Sequence, residues 1–274
     1  MKFSKMHGIG NDYVYINCFE ETVKNPSELA KQVSNRNFGV GSDGLILIYS
    51  SEQADCRMEM YNADGSRALM CGNGIRCVGK YVYDHGLVNH KNILVETDSG
   101  VKELFLEVDE TGTTQVIVDM GIPELMSQGV KPWEKIVLKD GTYHKIIPVS
   151  VGNPHAVVFV KEVAHLKLTS IGPKFEFHER FPDRVNTEFV QIINRKKIKI
   201  RVWERGSGET LACGTGACAA VFACILAGLS DTKVEVELLG GKLEISRDPI
   251  DRHMKMKGPA VEVFSGEFKE LINE

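Results

Sequence analysis

The sequence lacks the features that define several large classes of protein. Its 274 residues carry a formal net charge of only −4, with no block of like charge to attract nucleic acid or an anionic membrane. Residues 1–7 lack the apolar run of a signal peptide, and the most apolar segment, 217–229, is too short to span a bilayer. The seven cysteines include no Cys-x-x-Cys pair. We therefore expect a cytoplasmic protein with reduced thiols that binds neither nucleic acid nor a membrane.

Two cysteine loops, around Cys71 and Cys213, repeat each other. The displacement along the chain that carries Cys71 onto Cys213 also aligns Gly10-Asn11 with Gly152-Asn153, and Gly86-Leu87 with Gly228-Leu229. It further aligns positions that differ in residue type: Tyr13 with His155, Gly44 with Asn186, and Asn62 with Glu204. A register kept over this length predicts two copies of one domain, related by a pseudo-two-fold axis.

The hydrophobic pattern predicts the fold class of each copy. Alternating segments such as 57–61 and 197–203 indicate strands, and a helix is expected to begin at each cysteine loop and to end at Gly86 or Gly228. We expect an α+β fold of two pseudo-symmetric domains, each a mixed or antiparallel β-sheet barrel around a central helix. The expected domains are 1–116 with 264–274 crossing back, and 117–263, with the active site in the cleft between them.

The position of the two cysteines indicates a chemistry. The N-terminus of a helix offers unpaired N–H groups and a positive dipole end, which favour a thiolate and a bound carboxylate alike. If the ligand is an α-amino acid, one thiolate can remove the α-proton while the opposite thiol delivers a proton to the other face. The expected result is inversion at carbon, by a racemase or epimerase that needs neither a metal nor another cofactor.

Several motifs in the sequence resemble those of the diaminopimelate epimerase family, and the resemblance extends from end to end. The motifs are 7–12 (HGIGND), 62–66 (NADGS), 70–77 (MCGNGIRC), 152–156 (GNPHA), 203–206 (WERG) and 212–216 (ACGTG). The resemblance implies a cytoplasmic homodimer that interconverts LL- and meso-2,6-diaminopimelate without pyridoxal phosphate. It also implies a place in lysine biosynthesis and in the supply of the peptidoglycan precursor.

The resemblance also implies roles for individual residues. Cys71 and Cys213 would be the two acid/base thiols, and His155 and Glu204 would tune their pKa values. Glu204 would also contact the reacting ammonium. The substrate-binding residues would be Asn11, Asn62, Gly72, Asn73, Asn153, Asn186, Glu204, Arg205, Gly214 and Thr215. Arg205 is the best candidate for the distal carboxylate, because a guanidinium binds carboxylate with a planar fork. No residue is expected to bind a metal.

Some alternatives remain open at the level of sequence. A proline racemase or hydroxyproline epimerase would share the fold and the two cysteines, although those enzymes carry histidine where this chain has Asn73. A non-catalytic anion-binding module would use the helix N-termini, but it would not explain a cysteine in both loops. His155, after Asn153-Pro154, could equally be a turn histidine. The chain also departs from the family at Gly44, where many members carry glutamine, so a substrate hydrogen bond is absent there or is made by another group.

Overall fold

The computed structural model describes residues 1–127, 129 and 131–269. Contacts between elements divide the chain into two compact units. The first unit comprises Met1–Val118 and the chain from Gly258 onward, and the second comprises Asp119–Lys257.

The first unit is a mixed sheet packed on two helices. Its strands are β1 (Lys2–Gly8), β2 (Asn11–Asn17), β3 (Gly44–Tyr49), β4 (Cys56–Asn62), β5 (Arg67–Ala68), β6 (Asn92–Thr97), β7 (Gly100–Asp109), β8 (Gly112–Asp119) and β19 (Val261–Glu267). Its helices are α1 (Pro26–Ser34) and α2 (Gly72–Asp84). The strands pair in the order β19-β1-β2-β3-β4-β6-β7-β8, with β5 on β4. The pairs β2–β3 and β4–β6 are parallel, and the other pairs of this sheet are antiparallel.

The second unit repeats this arrangement. Its strands are β9 (Glu124–Leu125), β10 (Glu134–Val137), β11 (Tyr143–Ser150), β12 (Pro154–Phe159), β13 (Asn186–Asn194), β14 (Lys197–Glu204), β15 (Gly208–Thr210), β16 (Lys233–Leu238), β17 (Gly241–Arg247) and β18 (Met254–Gly258). Its helices are α3 (Leu168–Glu176) and α4 (Gly214–Leu226). The order is β10-β11-β12-β13-β14-β16-β17-β18, with β9 on β11 and β15 on β14. The parallel pairs, β12–β13 and β14–β16, occupy the same places in this order as those of the first unit.

The displacement along the chain that carries Cys71 onto Cys213 also relates the first and last residues of the helices in the two units. Shifting the bounds of α1 and α2 by this displacement gives those of α3 and α4. Both long helices end as the sequence predicts, because Gly86 (φ +72°) and Gly228 (φ +71°) adopt the left-handed conformation that glycine accepts without strain. The duplicated sequence therefore encodes a duplicated backbone.

The two central helices are buried to the same extent, with ten of thirteen residues buried in each, but they differ in composition. Helix α4 contacts strands β11–β14, β16 and β17 of its own unit, and its buried residues 216–224 carry no charge. Helix α2 contacts β1, β2, β4, β6, β7 and β19, and it includes charged residues such as the buried Arg76 and the exposed Asp84, which accepts a hydrogen bond from Lys80 (2.6 Å). A helix that is apolar on every side belongs in a core, which explains why α4 is the most apolar segment of the chain.

The expected α+β class with two similar halves is confirmed. The units divide at Val118 and at Gly258, whereas the sequence suggested boundaries at 116 and 263. The return to the first unit begins earlier because β19 pairs with β1 from Val261 to Glu267, and backbone hydrogen bonds fix the whole strand there. Residues 270–274 of the expected return segment lie outside the described residues. Among the described residues, no helix has the length and apolar character needed to cross a bilayer.

Candidate active site

Cys71 lies at the N-terminus of α2 and is held there by its own side chain. Its extended backbone (φ −129°, ψ 120°) is that of an N-cap residue, and its Sγ accepts a hydrogen bond from the N–H of Gly74 at 3.4 Å. The thiol donates a hydrogen bond to Oδ1 of Asn11 at 3.1 Å. Two of the predicted site residues, Cys71 and Asn11, are therefore in direct contact.

The amide of Asn11 is oriented by a charged cluster behind it. Its Nδ2 donates to Oδ2 of Asp43 at 2.9 Å. Arg36 bridges Asp43 and Asp12 at 2.9 Å each, and Lys5 donates to Asp12. The Arg36 and Lys5 cations hold the pKa of Asp12 below its usual value, although burial works in the opposite direction. Because the NH₂ group of Asn11 faces a carboxylate, its carbonyl faces the sulfur.

Asn62 and Gly44 lie opposite each other at the ends of β4 and β3, and Tyr13 lies opposite Gly44 on β2. The Nδ2 of Asn62 donates to the hydroxyl of Ser66 at 2.9 Å. A Cβ built on Gly44 would lie 2.2 Å from the backbone oxygen of Tyr61 and 2.9 Å from the ring of Tyr13. With this backbone no side chain fits at position 44, so the glutamine that the family resemblance led us to expect there has no place in this chain.

Tyr13 is the residue beside Cys71 that the sequence reasoning did not select. Its side chain is 4% exposed, and burial raises the pKa of its phenol well above the usual value, with further contributions from the neighbouring Cys71. The hydroxyl therefore stays protonated. In the sequence, the alignment of Tyr13 with His155 was the feature that could have identified Tyr13 as a site residue.

The backbone around Gly72 and Asn73 forms the first turn of α2. The first hydrogen bond of the helix runs from the N–H of Ile75 to the carbonyl of Cys71, so the N–H groups of residues 72 and 73 precede the helical ladder. Arg76, which is fully buried, donates to the carbonyls of Gly72 (3.3 Å) and Pro259 (3.2 Å). It thereby ties this turn to the segment that leads into β19.

Cys213 occupies the equivalent position at the N-terminus of α4, with almost the same backbone angles (φ −125°, ψ 112°). Its Sγ lies 3.5 Å from Oγ1 of Thr215. The side chain is only 5% exposed, and burial, followed by the carboxylates of Glu204 and Glu188, raises its pKa well above the usual value. The Thr215 hydroxyl and the Gly216 N–H oppose this rise.

Glu204, at the end of β14, is the ionisable neighbour of Cys213. Burial raises the pKa of its carboxyl group, and hydrogen bonds from the Thr210 hydroxyl and the Cys213 thiol lower it. The carboxyl group of Glu204 and the thiol of Cys213 therefore influence each other's protonation. The equivalent position of the first unit is the neutral Asn62.

His155 pairs with a carboxylate that the sequence reasoning missed. Its Nδ1 lies 2.7 Å from Oε1 of Glu188, and both side chains are fully buried. Burial raises the pKa of Glu188, while His155 lowers it. The signal was an acidic residue within the buried strand β13, at the position where β3 has Ile46. His155 does not lie in a turn, because its ring is buried on β12, where both ring nitrogens have hydrogen-bond partners.

The predicted asparagines of the second unit have different partners. Asn153 connects His155 to Thr215: its Oδ1 lies 2.8 Å from Nε2 of His155, and its Nδ2 lies 3.4 Å from Oγ1 of Thr215. Asn186, by contrast, bonds the backbone, donating to Pro154 O at 3.3 Å and accepting from the N–H of Arg205 at 2.9 Å. It therefore fixes the turn that follows β14.

Arg205 is exposed, and its guanidinium donates to the carbonyl of Asp183 at 3.0 Å. Gly214 and Thr215 follow Cys213 directly, in the first turn of α4. The two units thus bring the predicted residues together as separate sets. The first set is Asn11, Asn62, Cys71, Gly72 and Asn73, and the second is Asn153, His155, Asn186, Glu204, Arg205, Cys213, Gly214 and Thr215.

Each set combines a thiol at a helix N-terminus with N–H donors beside it. Such a turn can hold a carboxylate, and the fixed donors stabilise negative charge that spreads onto it. The second set also has carboxyl and imidazole groups: Glu204 is half-buried beside the thiol, and Glu188 and His155 form a fully buried pair. Within the described part of the chain, no cluster of three or more His, Cys, Asp or Glu side chains is placed to bind a metal ion.

Comparison with solved structures identifies the fold. A hydroxyproline epimerase from Agrobacterium vitis with bound trans-4-hydroxy-L-proline matches with a TM-score of 0.73, at 13% identity over 97% of this chain and 91% of that one. A PhzF-family phenazine biosynthesis protein from Bacillus anthracis matches with a TM-score of 0.70, at 17% identity over 98% and 99%. At these identities the likeness shows the fold alone.

The sequence comparisons are more specific. The diaminopimelate epimerase family model matches residues 3–126 and 147–263. A diaminopimelate epimerase from Acetivibrio thermocellus is 55% identical, with 97% of this chain and 98% of that protein covered. Diaminopimelate epimerases from Methanococcus maripaludis (48%; 97% and 99%) and Bacteroides thetaiotaomicron (46%; 98% and 98%) are also similar. With motifs, duplicated fold and both cysteine-capped helices in agreement, the chain belongs to the diaminopimelate epimerase family.

Proposed function

We propose that this chain interconverts LL- and meso-2,6-diaminopimelate, with Cys71 and Cys213 as the two acid/base groups. The observation that carries the proposal is the equivalent placement of the two cysteines, each at the N-cap position of a central helix, in a chain of the diaminopimelate epimerase family. Membership of this family also makes the protein an isomerase. A hydrolase with Cys71 as nucleophile and His155 as base would leave Cys213 without a role.

The proposed reaction inverts the α-carbon by two proton transfers. One thiolate removes the α-proton and becomes a thiol, while the other thiol protonates the opposite face and becomes a thiolate. The roles of Cys71 and Cys213 exchange when the reaction runs backwards, so each turnover leaves one thiol and one thiolate. No electron acceptor is required.

The groups around the thiols would hold the substrate during this transfer. The N–H groups of Gly72, Asn73, Gly214 and Thr215 would bind the reacting carboxylate, whose negative charge grows as the α-proton leaves. The half-buried carboxyl group of Glu204, beside Cys213, would accept the reacting ammonium. These contacts increase the acidity of the α-carbon and fix it between donor and acceptor.

The other predicted residues would bind the distal amino-acid end. Arg205 is exposed and would turn from the carbonyl of Asp183 to the distal carboxylate, which it can bind bidentately. Asn11, Asn62, Asn153 and Asn186 would supply amide groups. A substrate without this end would leave these polar groups unpaired, which explains a preference for diaminopimelate over monoamino acids.

Hydrogen isotope exchange tests this function. The reduced protein is incubated in deuterated water with LL-diaminopimelate and, in parallel, with proline. We expect deuterium at the α-carbon of the meso product, while substrate recovered early stays largely unlabelled, because the proton removed and the deuteron delivered use different thiols. Turnover of proline alone would contradict diaminopimelate as the substrate, and exchange of deuterium into recovered substrate at the rate of product formation would contradict two separate bases.

The proposal extends to the cellular setting. A diaminopimelate epimerase acts in lysine biosynthesis, and we propose that the protein is cytoplasmic and that its product also feeds the peptidoglycan precursor. We also propose a homodimer. In support, β19 pairs with β1 and exposes Val263 (55%) and Phe264 (47%), and an exposed apolar strand favours association. Sedimentation equilibrium of the full chain tests this, and a monomer at micromolar concentration would contradict it.

A further inference from the structure

A continuous series of side-chain contacts connects the buried pair of Glu188 and His155 to Cys213. His155 uses both ring nitrogens, Nδ1 toward Oε1 of Glu188 (2.7 Å) and Nε2 toward Oδ1 of Asn153 (2.8 Å). Asn153 continues through Nδ2 to Oγ1 of Thr215 (3.4 Å), which lies 3.5 Å from the sulfur of Cys213. None of the expectations drawn from the sequence gave Glu188 a role.

The hydrogen bonds of the pair follow from its burial and geometry. Both side chains are 0% exposed. Among the described residues, His155 is the side chain that bonds the Glu188 carboxyl group, through Oε1, and Oε2 has no hydrogen-bond partner. The other ring nitrogen, Nε2, faces Oδ1 of Asn153, and this carbonyl oxygen can only accept, so Nε2 is the donor. An isolated buried carboxylate is costly, and a second proton between Oε1 and Nδ1 leaves the pair without net charge.

The proton on Nε2 fixes the direction of every following hydrogen bond. Nε2–H donates to the carbonyl Oδ1 of Asn153, which turns the NH₂ group of Asn153 toward Thr215. The Thr215 oxygen accepts this hydrogen bond and keeps its own hydrogen for the sulfur of Cys213. A neutral histidine protonated on Nδ1 alone would reverse the amide and draw the hydroxyl hydrogen toward Asn153.

We propose that Glu188 is a positioning residue that acts through His155 and Asn153 to hold the Thr215 hydroxyl as a hydrogen-bond donor to Cys213. The role rests on the proposed function, in which Cys213 alternates between thiol and thiolate, because a donor to sulfur stabilises the thiolate. Among the described residues, Glu204 on β14 and Glu188 on β13 are the ionisable groups whose charge acts on Cys213, and His155 on β12 lies against Glu188.

A direct electrostatic effect of Glu188 on Cys213 has the opposite sign. As a bare carboxylate, Glu188 raises the pKa of the thiol, so its removal would lower that pKa. Within the pair, the shared proton balances the charge of Glu188. Removing Glu188 therefore mainly removes the hydrogen bond that the Thr215 hydroxyl donates to Cys213. The sign of the change at Cys213 therefore distinguishes the two mechanisms.

The experiment measures the rate at which iodoacetamide alkylates each cysteine across pH, with peptide mass spectrometry of the full-length protein. The variant is Glu188→Ile, because the first unit accommodates Ile46 at the equivalent place. A Cβ on Gly74 would lie 2.7 Å from Ile46 Cδ1, and one on Gly216 would lie 2.7 Å from Glu188 Oε1. We expect the pH midpoint of Cys213 alkylation to rise by about half a unit to one unit, the equivalent of one hydrogen bond.

Three controls sharpen this test. Glu188→Gln should keep a midpoint close to that of the unaltered protein, because its amide can donate to Nδ1 and leave Nε2 protonated. Thr215→Val should raise the midpoint as Glu188→Ile does, and the double variant should raise it no further. Cys71, alkylated in the same samples, reports changes that are not specific to Cys213, and the fully buried Cys218 and Cys224 report loss of the fold.

The outcomes separate the alternatives. A midpoint that falls in both Glu188→Ile and Glu188→Gln would overturn the proposal in favour of direct electrostatics. An unchanged midpoint with reduced thermal stability would leave Glu188 a purely structural role and would also overturn it. Should the E188I protein not fold, Glu188→Met, which keeps the length of the side chain, carries the same expectation. Because alkylation needs no substrate, failure here is distinct from a failure of the epimerase assignment, which the isotope experiment measures.

Discussion

The two cysteine-capped helices share a backbone but differ in the groups around the sulfur. Cys71 donates to the amide of Asn11 and lies beside the phenol of Tyr13. Cys213 lies beside the carboxyl group of Glu204, with a hydroxyl group 3.5 Å from its sulfur. At three aligned positions the first unit has a side chain that is neutral at pH 7, and the second has an acid or a histidine: Tyr13 and His155, Ile46 and Glu188, Asn62 and Glu204.

This difference shows how duplication can serve a reaction that is not symmetric at the level of protons. The proposed inversion needs one thiol and one thiolate at a time, and the two thiols have different neighbours. In the first unit the amide of Asn11 presents its carbonyl to sulfur, and in the second the amide of Asn153 presents its carbonyl to His155. The two asparagines are equivalent in sequence and opposite in orientation.

The largest expected effect is the loss of either thiol. Cys71→Ala and Cys213→Ala should each lower epimerisation by about 10³-fold or more, because each removes the acid/base group for one face of the α-carbon. Turnover is measured with both LL- and meso-diaminopimelate. The matched controls are Cys77→Ala in α2 and Cys218→Ala in α4, which are buried and should stay within a few-fold of the unaltered protein. Near-normal turnover by either Cys71→Ala or Cys213→Ala would contradict the two-thiol assignment.

The next effect concerns Glu204, which has the neutral Asn62 as its counterpart. Glu204→Gln should lower kcat/KM by about 10²-fold, since the reacting ammonium loses its carboxylate partner. The same change should lower the pH midpoint of Cys213 alkylation, because this carboxylate raises the pKa of the thiol. A slower enzyme with a more acidic Cys213 is thus the expected combination. Glu162→Gln, at an exposed position of the same unit, is the control and should change neither quantity.

A third effect tests the pair Gly44 and Asn186. Gly44→Asn, which copies the second unit into the first, should reduce the free energy of unfolding by about 1–3 kcal/mol, because the added Cβ would meet the backbone oxygen of Tyr61 at 2.2 Å. Urea denaturation measures the change. Gly86→Asn is the control, since a Cβ there meets nothing within 4 Å and asparagine tolerates the left-handed conformation. Equal losses for both variants would mean that the contact with Tyr61 is easily relieved.

The smallest effect concerns the orientation of Asn11. Asp43→Asn releases the NH₂ group of Asn11, which can then turn and donate to Cys71, so the pH midpoint of Cys71 alkylation should fall by about half a unit. Asp12→Asn removes a carboxylate from the same charged cluster without contacting the Asn11 amide, and should shift the midpoint less. The midpoint of Cys213 should not move in either variant. Equal shifts at Cys71 would assign the effect to charge alone.

Much of the fold follows from the sequence. The constant displacement between the two cysteine loops, the alternating strands and the glycines at 86 and 228 predict two α+β copies and the ends of their central helices. The same register identifies Cys71 and Cys213 as helix-capping thiols. The strands and helix ends are predictable because they depend on conformations within a few residues of each other, and the duplication is predictable because the two halves of the sequence can be aligned directly.

Only the tertiary structure shows which groups contact the predicted residues. The sequence singled out His155 and Asn153, but it did not show that Glu188, on the neighbouring strand β13, lies 2.7 Å from the histidine ring. The sequence showed that Gly44 departs from the family pattern. The tertiary structure explains this departure, because the ring of Tyr13 and the backbone of Tyr61 leave no room for a side chain. By itself the sequence determined the family, the duplication and the two thiols. The orientation of each amide and the carboxyl groups beside one thiol depend on the pairing of distant strands, because only that pairing removes these groups from water and brings their partners to them.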